Sequence, residues 1–370
     1  MTDPFGQHWL PVVNALRHDA DDPRVSVSRA LLTWLLCAMA FPTVAPADTV
    51  TVVDAEGQHM QDVWSSSRTA GMSPLCWQPS GGLTGLTSSR SGFAYRTFGA
   101  PNAVTWKPVQ PETDMNAVLS PDCRLAAEGH YIFPRSSGFP GGILVREPSG
   151  RGVARVLAKK WVEGESYAWS RDSRRLAVAM DEPHARVPTL RVIDVTTGRG
   201  LRRHVPRDFW SEPLSGDAFA PDGRAVVFVS ERGAQILDIA SGAIRDVAPE
   251  VGRGDLAGPL AWSPDGRTIA GYDWQRGIVL VDVATGSAAA VADGSGRVEE
   301  IVWSPDSSRL AFLFTDGPDL MRMGLGLVRA EAGAVARRPA MLRAATTVAP
   351  RWSPDGSRVA IWRTARGARR

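Results

Sequence analysis

The sequence predicts an all-β protein: a seven-bladed β-propeller of four-stranded blades whose last blade is closed by strands from the N-terminal side of the chain. Two observations lead there. A short turn motif recurs seven times at intervals of 41 to 50 residues, the length of one propeller blade. A glycine-marked hairpin recurs between those turns, and its distance to the next turn is nearly constant from first copy to last.

The turn motif is clearest as "WSPDG" at Pro264 and Pro354 and "WSPDS" at Pro305. Variants are "FAPDG" at Pro221, "WSRDS" at Arg171, "LSPDC" at Pro121 and a worn "WQPSG" at Pro79. Ser, Pro and Gly at the first, second and fourth positions are what a type I turn followed by a left-handed residue prefers. Short apolar runs flank it, "GPLAW" before and "RTIAGY" after Pro264, so it reads as strand, tight turn, strand. Asp122, Asp172, Asp222, Asp265, Asp306 and Asp355 recur in it as turn formers that bond their own backbone. Two residues before the second position stand Trp77, Leu119, Trp169, Phe219, Trp262, Trp303 and Trp352. A wide apolar side chain in every copy is expected to pack neighbouring blades together, each contributing roughly 2–3 kcal/mol.

The second anchor is a β-branched strand running into a glycine hairpin, as in "VIDVTTG" to Gly198, "ILDIASG" to Gly242 and "LVDVATG" to Gly286. Further copies end at Gly150 and Gly333, and weaker ones at Gly99 and Gly57. The hairpin joins the third and fourth strands of each blade. From hairpin glycine to the next turn the intervals are 22, 22, 21, 23, 22, 19 and 21 residues, beginning with Gly57 to Pro79. Residues 48–76 therefore hold the third and fourth strands of a blade whose first two lie in "VAPRWSPDGSRVAIW" near the C-terminus. The expectation is that 49–54 pairs with 357–362, closing the ring and leaving no open sheet edge between first and last blades.

"WSPDG" followed downstream by D-x-x-T-G resembles the WD40-like (PD40) repeat of the TolB-like propellers, across essentially all of residues 48–362. The resemblance implies the propeller fold and carries little about function, because the motif is structural. A separate N-terminal α/β domain of the TolB kind is not expected here, nor the C-terminal hydrolase domain of prolyl oligopeptidase relatives, which sets aside the Tol-Pal partnership. The domain expectation is 1–47 as N-terminal extension and signal sequence, and 48–370 as propeller.

Ahead of the repeats, Arg29 precedes an apolar run from Ala30 to Phe41, and Ala45, Pro46 and Ala47 follow. This is the layout of an export signal cleaved after Ala47, giving a periplasmic or secreted protein with no stable membrane span after cleavage. An uncleaved anchor and a fortuitous run in a cytosolic protein are the alternatives. Asp3, Asp19, Asp21 and Asp22 do not suit a signal leader, so Val25 is a candidate true start. Cleavage removes Cys37 and leaves Cys76 and Cys123 as one pair near the same end of adjacent innermost strands. In an oxidising compartment that pair is a disulfide candidate, with two buried free thiols as the alternative.

Forty-two basic and 39 acidic residues give a net charge of +3, too balanced to require a nucleic-acid partner. The arginines at 363, 366, 369 and 370 read as a solvated tail. From turn to hairpin glycine the intervals vary, at 20, 29, 27, 21, 22 and 28 residues. The extra length falls in the loops between second and third strands, which share a propeller face with the fourth-to-first connections. Loops on a rigid scaffold are where binding residues concentrate. The candidate ligand-binding residues are His130, Tyr131, Phe133 and Arg135 in the second blade and Glu182, His184 and Arg186 in the third. Trp161, Glu163, Phe209 and Trp210 join them from the adjoining connections.

No catalytic residue and no cofactor is expected. "GESYA" at 164–168 lacks the closing glycine of a nucleophile elbow. The histidines His59, His130, His184 and His204 show no i, i+4 pair. The expected function is a monomeric binding or scaffolding module for a protein, peptide or glycan in the cell envelope. The alternative is a propeller-type carbohydrate lyase or hydrolase with a metal near His130 and His184, which metal analysis of the purified protein separates.

Overall fold

A computed structural model describes residues 48–363 apart from 67–74, 90–91, 99–102, 107–116, 131–141, 148–154, 159–162, 182–188, 206–213, 215–216, 231, 249–258, 274, 293–295, 316–322 and 343–348. The expected signal region and the tail arginines at 366, 369 and 370 lie outside the described residues, whereas Arg363, expected as part of that solvated tail, instead ends the last described strand and pairs with Asp62 at 2.6 Å. Seven antiparallel sheets form a seven-bladed propeller.

The chain enters through β1 (Asp48–Asp54) and β2 (Met60–Ser66). Blade one follows as β3 (Leu75–Trp77), β4 (Leu83–Ser89), β5 (Gly92–Thr97) and β6 (Ala103–Trp106). Blade two is β7 (Ala117–Leu119), β8 (Ala126–His130), β9 (Gly142–Arg146) and β10 (Arg155–Ala158). Blade three is β11 (Glu163–Trp169), β12 (Arg175–Asp181), β13 (Thr189–Asp194) and β14 (Gly200–His204). Blade four is β15 (Ala225–Ser230), β16 (Gly233–Asp238) and β17 (Ile244–Ala248). Blade five is β18 (Leu260–Trp262), β19 (Thr268–Asp273), β20 (Gly277–Asp282) and β21 (Ala288–Ala292). Blade six is β22 (Arg297–Trp303), β23 (Arg309–Thr315), β24 (Met323–Arg329) and β25 (Arg337–Leu342), and β26 (Arg351–Trp352) and β27 (Arg358–Arg363) end the described chain.

Closure occurs as the intervals require. Blade seven has the order β2-β1-β27-β26. Its register pairs Thr49 with Arg363 and Asp54 with Arg358, one residue further along than 357–362. Blade four departs from the four-stranded expectation: its innermost strand is reduced to a single bridge between Phe219 and Val226. The Asp217 carbonyl accepts a hydrogen bond from the Trp262 backbone N–H of blade five at 2.8 Å instead of pairing within its own sheet.

All seven anchor side chains are buried, between 2 and 8 % exposed. Four of the tryptophans also tie blades together. The indole N–H donates to the carbonyl just ahead of the previous blade's anchor: Trp77 to Arg351 at 2.9 Å, Trp169 to Val118 at 3.2 Å, Trp303 to Ala261 at 2.9 Å and Trp352 to Val302 at 3.3 Å. Trp262, next to the irregular blade four, turns its indole onto its own turn at Gly266.

The fourth turn position is left-handed in every blade: Gly81, Cys123, Ser173, Gly223, Gly266, Ser307 and Gly356 have φ between 58° and 84°. A side chain there points at the preceding turn. The Ser173 hydroxyl accepts from the Asp122 backbone N–H at 3.2 Å, and the Ser307 hydroxyl from that of Asp265 at 3.0 Å. These bonds help offset the cost of placing a non-glycine residue in that region.

The turn aspartates act as expected. Asp306 accepts from the Ser304 hydroxyl at 2.6 Å and Asp355 from that of Ser353 at 2.5 Å, and each takes a backbone N–H two residues on. The Ser304 and Ser308 hydroxyls hold Asp306 below the usual carboxylate range, and Ser353 and Ser357 bring Asp355 down to about 2. For Asp172 and Asp265 burial is the largest single influence and opposes ionisation, and the hydroxyl bonds from Ser170 and Ser263, the backbone N–H bonds of Arg174 and Arg267 and nearby arginine charge together outweigh it. A carboxyl depressed on folding stabilises the folded state above its unfolded value near 3.8 and loses that contribution as pH falls through the folded value. Melting temperature is therefore expected to hold from pH 6 to about 4 and fall steeply toward pH 2. Asp355→Asn should shrink the change at the acid end; an unchanged acid limb in that variant would contradict the role given to this turn.

Candidate functional site

Antiparallel pairing sorts the loops onto two faces. In blade two, His130 at the end of β8 pairs with Gly142 at the start of β9, so residues 131–141 leave and return at one edge. In blade three, Asp181 at the end of β12 pairs with Glu163 at the start of β11, so 182–188 and the connection into β11 emerge together. The second-to-third loops and fourth-to-first connections thus share a face, as the sequence predicts. Of the candidate residues, His130 and Glu163 are placed as strand termini on that face. Tyr131, Phe133, Arg135, Trp161, Glu182, His184, Arg186, Phe209 and Trp210 lie outside the described residues. Among the described residues no three of His, Cys, Asp and Glu gather as a metal-ligand set.

The innermost strands surround a central channel, and toward the turn end it holds a cavity of about 240 Å³. Blades one, two, three, four and seven line it, and much of its wall is the packed anchor layer of Trp77, Leu119, Trp169 and Trp352. Besides Ser120, whose hydroxyl donates to Asp122, three polar side chains interrupt that wall. Tyr167, 7 % exposed, has a buried hydroxyl with no hydrogen-bond partner among the described residues. Asp217 comes from the broken innermost strand of blade four, and Arg351 opens β26 in blade seven.

The sequence held a signal for these three that the turn alignment passes over. The slot two residues before each anchor reads Leu75, Ala117, Tyr167, Asp217, Leu260, Ile301 and Pro350, and the slot one before reads Cys76, Val118, Ala168, Ala218, Ala261, Val302 and Arg351. Tyr167, Asp217 and Arg351 are the polar departures from two apolar columns, and all three line the one cavity.

Cys76, in the wall of the same cavity, is disulfide-bonded to Cys123, with Cα atoms 5.8 Å apart and 47 residues between them in sequence. The bridge joins blade one to blade two from the position where blades three and six use a serine hydroxyl to reach the preceding turn. Both residues are 5 % exposed, and the Tyr95 hydroxyl donates to the Cys123 carbonyl at 3.1 Å.

No protein-family model matches the chain, and no curated protein matches it. Solved structures do. A putative TolB from Agrobacterium tumefaciens aligns over 87 % of this chain and 99 % of its own, with a TM-score of 0.54 at 16 % identity. The fold is a TolB-like propeller. A chain of the mitotic checkpoint complex aligns over 85 % of this TolB-like propeller and 95 % of its own length, with a TM-score of 0.54 at 16 % identity. The dihydro-heme d1 dehydrogenase NirN, solved with DHE, aligns over 83 % of the chain and 66 % of its own, with a TM-score of 0.53 at 17 % identity. Their names describe different activities on one architecture, so the fold alone carries over.

Proposed function

We propose that this TolB-like propeller is an exported, non-catalytic binding module of the cell envelope that works as a monomer and engages a protein, peptide or glycan through the face of its long second-to-third loops. One observation carries the reading. The residues repeated from blade to blade are engaged in holding the ring: anchors in packing, turn aspartates on backbone N–H groups, fourth positions on the preceding turn. The second-to-third segments of blades two, three and six are the parts free to differ, and they emerge on one face. Export draws support from the buried disulfide, a bond that persists in oxidising compartments.

The test is a variant with His130, Tyr131 and Arg135 all changed to Ala, used beside the parent protein to capture partners from envelope extract. The expected result is a melting temperature within about 2 °C of the parent, as for surface changes, with loss of the captured partner. Unchanged capture, or a large fall in melting temperature with capture intact, would remove that loop from the binding face.

A further inference from the structure

We infer that the seam between blades one and two is a redox-controlled joint. While the Cys76–Cys123 bond holds, the ring is closed there; once the bond is reduced, the ring opens at this seam and not at blade seven, where strands from the two ends of the chain meet. The inference goes beyond the loop-face reading and does not rest on it.

The other six seams are tied by contacts that do not depend on redox state. Indole N–H groups tie blade seven to one through Trp77, two to three through Trp169, five to six through Trp303 and six to seven through Trp352. Blade three holds blade four through Arg175, which donates to the Gly223 carbonyl, and Arg203, which donates to the Gly242 carbonyl at 3.0 Å. Blade four holds blade five through the Asp217 carbonyl, and Arg171 of blade three reaches past it to the Trp262 carbonyl at 3.3 Å.

At the seam between blades one and two, both repeated ties are replaced. The anchor is Leu119, which has no side-chain N–H to donate. The left-handed turn position is Cys123, whose sulfur forms the bridge where Ser173 and Ser307 accept from the preceding turn. The Tyr95 hydroxyl crosses the seam at 3.1 Å, and its acceptor is the carbonyl of Cys123 itself.

Packing divides at the same place. In blade one, Leu75, Trp77, Leu83 and Phe98 share a core with Val50 and Trp362 of blade seven. In blade two, Ala127, Ile143 and Val145 share one with Tyr167 and Leu176 of blade three. What joins blades one and two is a cluster of Cys76, Leu119, Cys123 and Ala126 with Tyr95 against it. Two of its four buried members are the bridged cysteines, so little apolar burial remains to hold the seam without the bond.

The bond also lies beside the channel. Cys76 of blade one and Leu119, Ser120 and Pro121 of blade two are neighbours in the wall of the cavity at the turn end, so parting the seam splits that wall. A dithiol reductant supplies the step. One of its thiolates attacks a bridge sulfur to give a mixed disulfide, and its second thiol displaces the protein sulfur. Two electrons and two protons pass to the protein, which gains two thiols, and the reagent leaves as its own disulfide.

Hydrogen exchange of the intact protein, read by mass spectrometry with and without excess dithiothreitol, tests the joint. Reduction is expected to speed exchange in β3, β7 and β8 at least about tenfold more than in β1 and β27, as a local opening does. The variant Cys76→Ala with Cys123→Ser should show the same pattern without reductant and no further change with it. The inference is overturned if β1 and β27 speed up as much as β3, β7 and β8, since the loss is then global or begins at the closure. It is equally overturned if dithiothreitol leaves the bond intact in the folded protein, or if neither reduction nor the variant raises exchange at the seam. Partner capture through the loop face is a separate measurement, so either conclusion can fail alone.

Discussion

Removing residues 48–57 is expected to destabilise the propeller by on the order of 5 kcal/mol, among the largest effects a local change produces. The deletion takes away β1, which sits between β2 and β27 in blade seven. Val50, Thr51 and Val53 are fully buried there, and β27 would lose six backbone partners along one edge. Val53 packs with Trp352, Val359 and Ile361, and Val50 with Trp77 and Trp362, so the loss reaches the cores on both sides of the blade. Urea denaturation of the truncated and intact proteins measures the difference. A permutant that joins 48–66 behind residue 363 provides the control, since it restores the same four strands. A truncated protein as stable as the intact one would contradict the closure.

Breaking the Cys76–Cys123 bond is expected to cost about 4 kcal/mol, the loop-closure entropy of a bridge spanning 47 residues. The variant Cys76→Ala with Cys123→Ser suits the measurement. Serine already occupies the same left-handed turn position as Ser173 and Ser307, so the turn survives and the loss reports the bridge. Reductant should lower the parent's urea midpoint to that of the variant and leave the variant unmoved. Thiol titration of denatured, unreduced protein should find no free Cys76 or Cys123. Two reactive thiols with an unchanged midpoint would mean that the sulfurs are not bonded in the folded protein.

The fold was legible because the ring repeats itself. Turn chemistry at Pro264, the left-handed position at Gly266 and the anchor at Trp262 each answer a local demand that returns once per blade, so seven weak signals add. Blade four was not legible in the same way. Its "FAPDG" turn reads like the others, yet the strand before it is cut short because Asp217 directs its carbonyl to Trp262 in the next blade, a contact that no spacing within one repeat encodes. The candidate site was less legible for the opposite reason. Function lives where repeats differ, and loop length marked one kind of difference. Tyr167, Asp217 and Arg351 differ without changing any interval, and show themselves only when the columns beside the anchors are compared.

Closure by β1 and β27 also orders events in time. Arg363 and Asp62, which form an ion pair across blade seven, are separated by 301 residues. During synthesis β1 and β2 emerge first, with their neighbours still unmade, and nothing can seal the ring until the last strands follow. Pairing across such a separation is slow. Sealing of the ring is therefore a late event, waiting on β26 and β27 whatever order the other blades fold in.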